Sequence, residues 1–413
     1  MTAAAPRLLL FDDGLGDFGP LSDLRASFEL RTGVRTTMER AGAADALLVP
    51  EALAALVAER HALPVNQFPA GDDILLLNGR WRIAAASREL LEPGEALVEE
   101  GSGHLLAARF DRRQAEAWWR GRTLPAGVKA RPWPHRSLAA RPWDLLHAES
   151  LAGLMADDIR ELHDAWRAAG TLASAPAGAI VIPGSPVVIH AEASILPGTI
   201  LDAASGPILV GPGAVIRPGA VLVGPVSVGA RSVVQERSLL KARTVVGPGC
   251  RVAGEIGGTI FQAHSNKAHE GHLGDSLVGE WVNLGAGTTN SNLLNTYGEV
   301  LMRLRPDGAL EATGRQFMGS VIGDHVKTAI CTRLMTGCVL GTGAMVACTP
   351  PPPQAVGRFA WLVDQKPGAG AEAARTQRLD RFLRTAGIVM ARRGVTPGPA
   401  LVAALTRLHA AGA

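Results

Sequence analysis

The chain has 413 residues, 47% of them apolar, a net charge of +3 and only 4% aromatics with a single tyrosine, against 48 glycines. Its basic residues are scattered and mostly arginine, which excludes the like-charge blocks that track a nucleic-acid backbone. No run of roughly 18 apolar residues occurs and "MTAAAPRLLLFDDG" lacks a signal-peptide pattern, so no membrane span or secretion is expected.

Residues 1–140 read as an α/β layer domain. "RLLLFDD" and "DDILLLNGRWRI" have the composition of buried strands, and "ALLVPEALAALVAERH" that of a strand running into a helix. "WDLLHAESLAGLMADDIRELHDAW" has helical periodicity and makes residues 141–175 a helical linker.

From Val210 an aliphatic residue recurs at every sixth position: Ile216, Leu222, Val228, Val234, Leu240, Val246 and Val252. Prolines at 212, 218, 225 and 248 exclude a helix, and Gly and Pro fall where corners are needed. This is the hexapeptide period of a parallel β-helix, expected over residues 176–353. The phase returns at Val278 and Leu284, and again at Ile322, Thr328, Leu334, Leu340 and Val346. The intervening stretches, about 254–277 and 291–320, are expected to be loops leaving the solenoid, and such excursions are usually functional. Residues 354–413 return to helix over 371–409 and are expected to cap the solenoid. The four cysteines, Cys250, Cys331, Cys338 and Cys348, show no CxxC pair and are expected to be reduced.

The first of these breaks holds "SNKAHEGHLGDSLVGEWVNLGAGTTNSN". Together with "SFELRTGV", "LNGR" and "PWDLL" upstream, it resembles the sugar nucleotidyltransferase family, which is similar to the bifunctional bacterial enzyme that acetylates glucosamine 1-phosphate and uridylylates the product. The resemblance implies a nucleotidyltransferase-like α/β domain, a left-handed β-helix, a cytoplasmic homotrimer engaged in cell-envelope biosynthesis, and acetyl-CoA lying between neighbouring β-helices. It places His269 at the catalytic histidine and His272 at a substrate-contacting position. Asn283 falls at a substrate asparagine, and Ala286 and Asn292 at acetyl-CoA contacts. Two phosphate-holding lysines of the family fall on Gly257 and Gly298, so Lys267 or Lys241 is the candidate substitute.

The chemistry agrees with that placement. An ammonium group cannot attack a thioester, and histidine is the usual base for removing its proton near neutrality. The collapsing oxyanion needs donors, which the sparsely shielded backbone of "NLGAGTT" can supply. The 3′-phosphoadenosine of coenzyme A needs cations, for which Lys327, Arg333 and Arg358 are candidates. In the first domain the family's Gly-rich phosphate loop is missing. Arg25, Arg31, Asn78 and Arg80 are nucleotide-binding candidates there, equally open to surface or ion-pair roles, and Asp12 and Asp13 could hold Mg²⁺.

The expected activity is acetyl transfer from acetyl-CoA to an amino sugar phosphate or nucleotide-linked amino sugar, with nucleotidyl transfer left open. Two readings from other classes compete. His264 and His269 have the spacing of two zinc ligands in β-helix carbonic anhydrases, with His190 or His325 as a distant third. Alternatively the chain is a non-catalytic nucleotide-sugar-binding scaffold.

Overall fold

The structure is a computed structural model that describes residues 5–82, 91–364 and 375–412. Ile83 at the end of "DDILLLNGRWRI", the first four residues of "MTAAAPRLLLFDDG", and residues 371–374 of the expected C-terminal helical region lie outside the described residues. Two compact units divide the chain: Met1–Asp17 with Leu24–Arg141, and Phe18–Asp23 with Pro142–Ala413.

The first unit is a mixed sheet flanked by helices. Its elements are β1 (Arg7–Phe11), α1 (Thr37–Ala41), β2 (Ala46–Leu48), α2 (Glu51–Arg60), β3 (Ile74–Asn78), β4 (Glu95–Glu99), β5 (Leu105–Phe110), α3 (Arg112–Gly121) and β6 (Lys129–Trp133). The strand order is β2-β1-β3-β5-β4-β6. β1 runs parallel to β2 and β3, and β5 runs antiparallel to both of its neighbours. Nearly every residue of β1, β2 and β3 is buried, because both faces of the sheet are covered. α1 and α3 open with capping boxes, Thr36 with Glu39 and Asp111 with Gln114, which satisfy N–H groups that a helix start leaves unpaired.

The second unit opens with α4 (Ala148–Ala168), the helix expected before the repeat, and continues as a parallel β-helix. Each coil lays one short strand on each of three stacked sheets. The sixth-position residues all point inward: Val210, Ile216, Leu222, Val228, Val234 and Leu240 are 0% exposed, and Val246 and Val252 1% and 0%. Burying one such side chain stabilises the fold by roughly 1.5–3 kcal/mol, so the stack is the core.

The stretch 254–277 is not an excursion. Its strands, Glu255–Gly257, Ile260–Phe261, Asn266–Lys267, His272–Gly274 and Leu277–Val278, stay in the three sheets. What changes is coil length. Val234 pairs with Val252 eighteen residues on, Val252 with Lys267 fifteen on, and Phe261 with Val278 seventeen on, which shifts the six-residue phase without leaving the stack. The second break is a true excursion: Val278 pairs next with Ile322, and the chain between them forms a small hairpin of Leu301–Met302 and Glu311–Ala312.

Corners between faces allow no extra bulk at several points. A Cβ on Gly247 would stand 1.8 Å from the carbonyl oxygen of Gln262 in the coil above. Gly247→Ala is therefore expected to cost about 1–3 kcal/mol or more, because the obstacle is backbone. A melting temperature equal to wild type would refute that.

The C-terminal helices are α5 (Leu379–Ala391) and α6 (Pro399–Ala410). They run along a corner of the solenoid. Phe382 meets His325 and Phe359 edge-on at 5.7 and 5.0 Å, and Arg393 donates to Asn266 Oδ1 at 2.7 Å, several coils back from the end. Among the described residues no helix is long and apolar enough to cross a membrane.

Candidate active site

Lys267 sits at a position occupied by Val252 in the coil below and Leu284 in the coil above, and is 1% exposed. Its side chain points into the solenoid, yet its ammonium is not orphaned. Nζ donates to the carbonyls of Ala253 at 3.1 Å, His269 at 3.0 Å and Glu270 at 3.3 Å. Burial lowers its pKa from 10.5 to about 8, with Glu270 opposing. These bonds fasten the corner 268–271 from inside. From outside, the corner is stacked so tightly under the next one that a Cβ on Gly271, at φ 117°, would lie 2.2 Å from Thr288 O.

His269 rides on this corner, exposed, and its imidazole has no hydrogen-bond or ion-pair partner among the described residues. The coil below turns the same corner with only Ala253 and Gly254, between strands ending at Val252 and starting at Glu255. The corner that carries His269 is therefore two residues longer than the one beneath it. The corner above is Gly285–Thr288. There the Gly285 N–H donates to Thr328 Oγ1 and that of Thr288 to Gly285 O, while Ala286 and Gly287 have no acceptor for their N–H groups among the described residues.

His272 stands on the next face. Its Nδ1 lies 3.5 Å from Glu255 Oε1, the same oxygen that accepts from Lys241 Nζ at 2.5 Å. The Lys241 ammonium, more than the burial that opposes it, holds the Glu255 carboxyl below its usual range. Lys241 reaches this place over Gly257: a Cβ there would lie 3.3 Å from Lys241 Cβ. The lysine missing at Gly257 is thus matched in space by one from the coil below. Farther along the face, Asn292 Nδ2 and His272 Nε2 both come close over Gly274, 2.6 and 2.7 Å from where its Cβ would be, and Asn292 donates to Asp275 Oδ2 at 2.7 Å. Buried Asn290 holds that face flat by bonding the N–H and the carbonyl of Gly274.

Asn283 is exposed on a different face, bridged in register to Asn266 below and Lys327 above. Lys327 donates to His325 O at 3.3 Å, and burial lowers its pKa from 10.5 to about 8. Arg333 is exposed and donates to Thr349 O. A single chain thus groups Lys241, His272 and Asn292 on one face, Asn283 and Lys327 on another, and His269 at the corner between.

Several expectations need correction. Lys267 is a brace for the corner and has no donor left for a substrate phosphate. Arg358 is committed to Asp23, with Nε 2.8 Å from Oδ2 and Nη2 2.5 Å from Oδ1, so it is not a coenzyme A contact. In the first unit, Arg80 forks onto Asp13 at 2.8 and 2.6 Å and Asn78 donates to the same carboxylate at 3.0 Å. Burial opposes ionisation of Asp13, but the Arg80 fork outweighs it and holds the acid below its usual range. Arg31 is buried against Glu39 and the carbonyl of Val34, and Arg25 is 1% exposed. These four are internal residues and not an open nucleotide site. Asp12 accepts from the N–H groups of Gly14 and Ser27, and burial raises its pKa. Asp12 and Asp13 therefore do not fit a Mg²⁺ site.

Nor do the histidines gather. His264 is stacked face to face on Trp281 at 4.3 Å, which continues to His325, and among the described residues no group of three His, Cys, Asp or Glu side chains could hold a metal. The described residues of a single chain therefore offer no three-ligand zinc site. The groups that sequence reasoning missed are Arg243 and Arg315, which line an open cleft next to Asp275 and Asn292.

These features define a hexapeptide-repeat β-helix protein with a polar corner site, joined to an α/β unit. No family model matches the chain. It is 29% identical over 163 residues to a bifunctional sugar-1-phosphate nucleotidylyltransferase/acetyltransferase of Sulfurisphaera tokodaii, covering 39% of this chain and 35% of that protein. It is 30% identical over 222 residues to a bifunctional protein GlmU of Rubrobacter xylanophilus, covering 47% and 43%. The chain thus spans less than half the length of these curated relatives. A solved UDP-N-acetylglucosamine acyltransferase of Francisella novicida aligns over 54% of this chain and 74% of that one at 14% identity and TM-score 0.23. The acetyltransferase domain of PglB from Neisseria gonorrhoeae aligns over 65% and 96% at 14% identity and TM-score 0.18. At such TM-scores the fold assignment rests on the strand register alone.

Proposed function

We infer that the chain is an acetyl-CoA-dependent N-acetyltransferase acting on an amino sugar that carries phosphate or is linked to a nucleotide. The observation that carries this reading is the exposed His269 imidazole on a corner fastened by Lys267, below a corner whose Ala286 and Gly287 N–H groups have no acceptor among the described residues. Similarity to relatives named as bifunctional nucleotidyltransferases and acetyltransferases supports the transferase class.

In this mechanism His269 takes a proton from the sugar ammonium, and the free amine attacks the thioester carbonyl carbon. Negative charge collects on the carbonyl oxygen, where fixed backbone N–H groups stabilise it. Collapse breaks the carbon–sulfur bond, the nitrogen gives up its second proton to solvent as the amide forms, and coenzyme A leaves with the proton returned by the imidazolium. Asn283 and His272 orient the acceptor, Ala286 borders the thioester, and Lys327 and Arg333 lie toward the nucleotide of coenzyme A, while Asn292, bonded to Asp275, is left to the acceptor side.

Because Asn283 and His272 occupy different faces of one chain, the reading includes a homotrimer in which a neighbour's face completes each site. The first coil exposes Ile180, Val181 and Ile182 at 55, 42 and 39%, an apolar strip suited to such an interface. The reading also places the protein in the cytoplasm, where its thioester substrate is made.

Free coenzyme A release, assayed over amino sugar 1-phosphates and nucleotide-linked amino sugars, tests the activity, with pyrophosphate release measured alongside. Acetyl-CoA-dependent release with at least one amino sugar is expected. Pyrophosphate release from a nucleoside triphosphate would have to use groups other than Asp12, Asp13, Arg25, Arg31, Asn78 and Arg80. Absence of coenzyme A release with every acceptor would favour a scaffold.

A further inference from the structure

One cleft remains unassigned. It has a volume of about 580 Å³, a size suited to a small organic ligand, and opens at the far edge of the face that carries Glu255 and His272. Arg243 and Asp275 stand at stacked corner positions, with Gly258 between them. The missing side chain lets the Asp275 carboxylate settle over Gly258, where a Cβ would be 2.6 Å from Oδ1, and approach Arg243 Nη1 at 3.9 Å. The opposite wall is the return limb of the excursion, Gly314–Phe317, which brings in Arg315. Among the described residues its Nε donates to Phe317 O at 3.1 Å and its terminal nitrogens have no hydrogen-bond partner. Burial weakens the Arg315 cation, Asp275 and Asp144 support it, and Arg243 repels it.

The third wall is the start of α4. His147 is its N-cap and provides no side-chain cap, so the positive end of a 21-residue helix faces the cleft, with Glu149 the acid in its first turn. Two guanidiniums lining one cleft and a helix start without a side-chain cap concentrate positive potential that Asp275 and Glu149 only partly offset. A ligand with more than one anionic oxygen fits that field, and guanidinium forks match phosphoryl groups in geometry.

Distance narrows the class. Strand His272–Gly274 separates the His269 corner from the Asp275 corner, so the backbones that carry the base and the cleft are about 10 Å or more apart. A hexosamine ring with one phosphate directly on it is too short to place its amine at His269 and its phosphate in the cleft. A sugar joined to a nucleoside diphosphate is long enough, and Phe317, Gln316 and His147 at the rim offer surfaces for its base and ribose.

We propose that this cleft is an anion subsite for the diphosphate of a nucleotide-linked amino sugar, with Arg243 and Arg315 on the phosphoryl oxygens. The proposal rests on the acetyl-transfer reading for the sugar, but not for the anion.

Calorimetric titration of the full chain with inorganic pyrophosphate, UDP and coenzyme A separates the two. Pyrophosphate and UDP should bind the wild type. Arg243→Gln and Arg315→Gln should each weaken both by tenfold or more, leaving coenzyme A affinity unchanged, with Arg243→Lys recovering part of the loss and the melting temperature confirming folded protein. In turnover, the same variants should raise KM for the nucleotide-linked sugar with little change in kcat. Arginine-dependent UDP binding without acetyl transfer to any acceptor would sustain the subsite while ending the acetyl-transfer reading. Equal affinity in wild type and variants, loss of coenzyme A binding in place of UDP binding, or equal kcat/KM for a sugar 1-phosphate would each overturn the proposal.

Discussion

His269→Ala should lower kcat for acetyl transfer by about 100-fold or more, the usual scale for losing a positioned general base. The melting temperature should hardly move, since the imidazole is exposed and has no partner among the described residues, and exposed substitutions are usually within ±0.5 kcal/mol. The contrast gives the test its force: a folded, acetyl-CoA-binding variant with no turnover isolates proton transfer from scaffold. His272→Ala provides the comparison. Its imidazole lies against Glu255 on the neighbouring face, so it should raise KM for the acceptor more than it lowers kcat. Full activity in His269→Ala would end its role as base.

Why the corner projects at all follows from coil length. Elsewhere on this edge a corner rests on one of equal size, as 235–238 rests on 217–220. Beneath His269 the corner shrinks to Ala253–Gly254, with Gly254 at φ 80° and its would-be Cβ 2.7 Å from Gly271 O. Removing two residues from one coil opens space under the next without disturbing the core, since the inward residues Val252, Ile256 and Leu273 stay in register. The projection of this corner thus follows from a shorter corner beneath it in an otherwise regular stack.

That deletion also explains what was legible in the sequence. The run Val210 to Val252 announced the β-helix because its coils are eighteen residues long and keep one phase. Once coils shorten to fifteen and seventeen residues the phase slips, and a stretch that never leaves the stack looked like an excursion. Lys267 deepened the illusion: a lysine where the period demands an aliphatic residue reads as a loop, and only the carbonyls of residues 253, 269 and 270 show why it is tolerated. The candidacy of His269, through its sequence spacing to Asp275 and Asn283, came from the resemblance and not from the period. The closure of Arg80 on Asp13, sixty-seven residues apart, and the meeting of Arg243 with Arg315 depend on packing that no local pattern encodes.

The buried lysine yields the other large effect. Lys267→Ala should destabilise the chain by about 3–5 kcal/mol, because it opens a cavity in the core and strips three carbonyls of their donor. Lys267→Met keeps most of the volume and removes the buried charge, so it should fold with a smaller loss, yet the corner is no longer held from within. Its kcat should fall about tenfold, as expected when a base sits slightly out of place. Stability against pH separates this brace from a passive core residue. With its pKa lowered to about 8 in the folded state and near 10.5 unfolded, Lys267 is protonated in both states below pH 8 and contributes no slope there. Between about pH 8 and 10.5 the unfolded chain binds more protons, so wild-type stability should rise with pH, by ~3 kcal/mol at most. Subtracting Lys267→Met cancels Lys327, whose burial shifts it the same way. Denaturant unfolding of both proteins across this window measures the difference. A flat difference together with unchanged kcat would mean that the lysine neither pays a burial penalty nor sets the histidine, and that the corner is shaped by Gly271 and Thr288 alone.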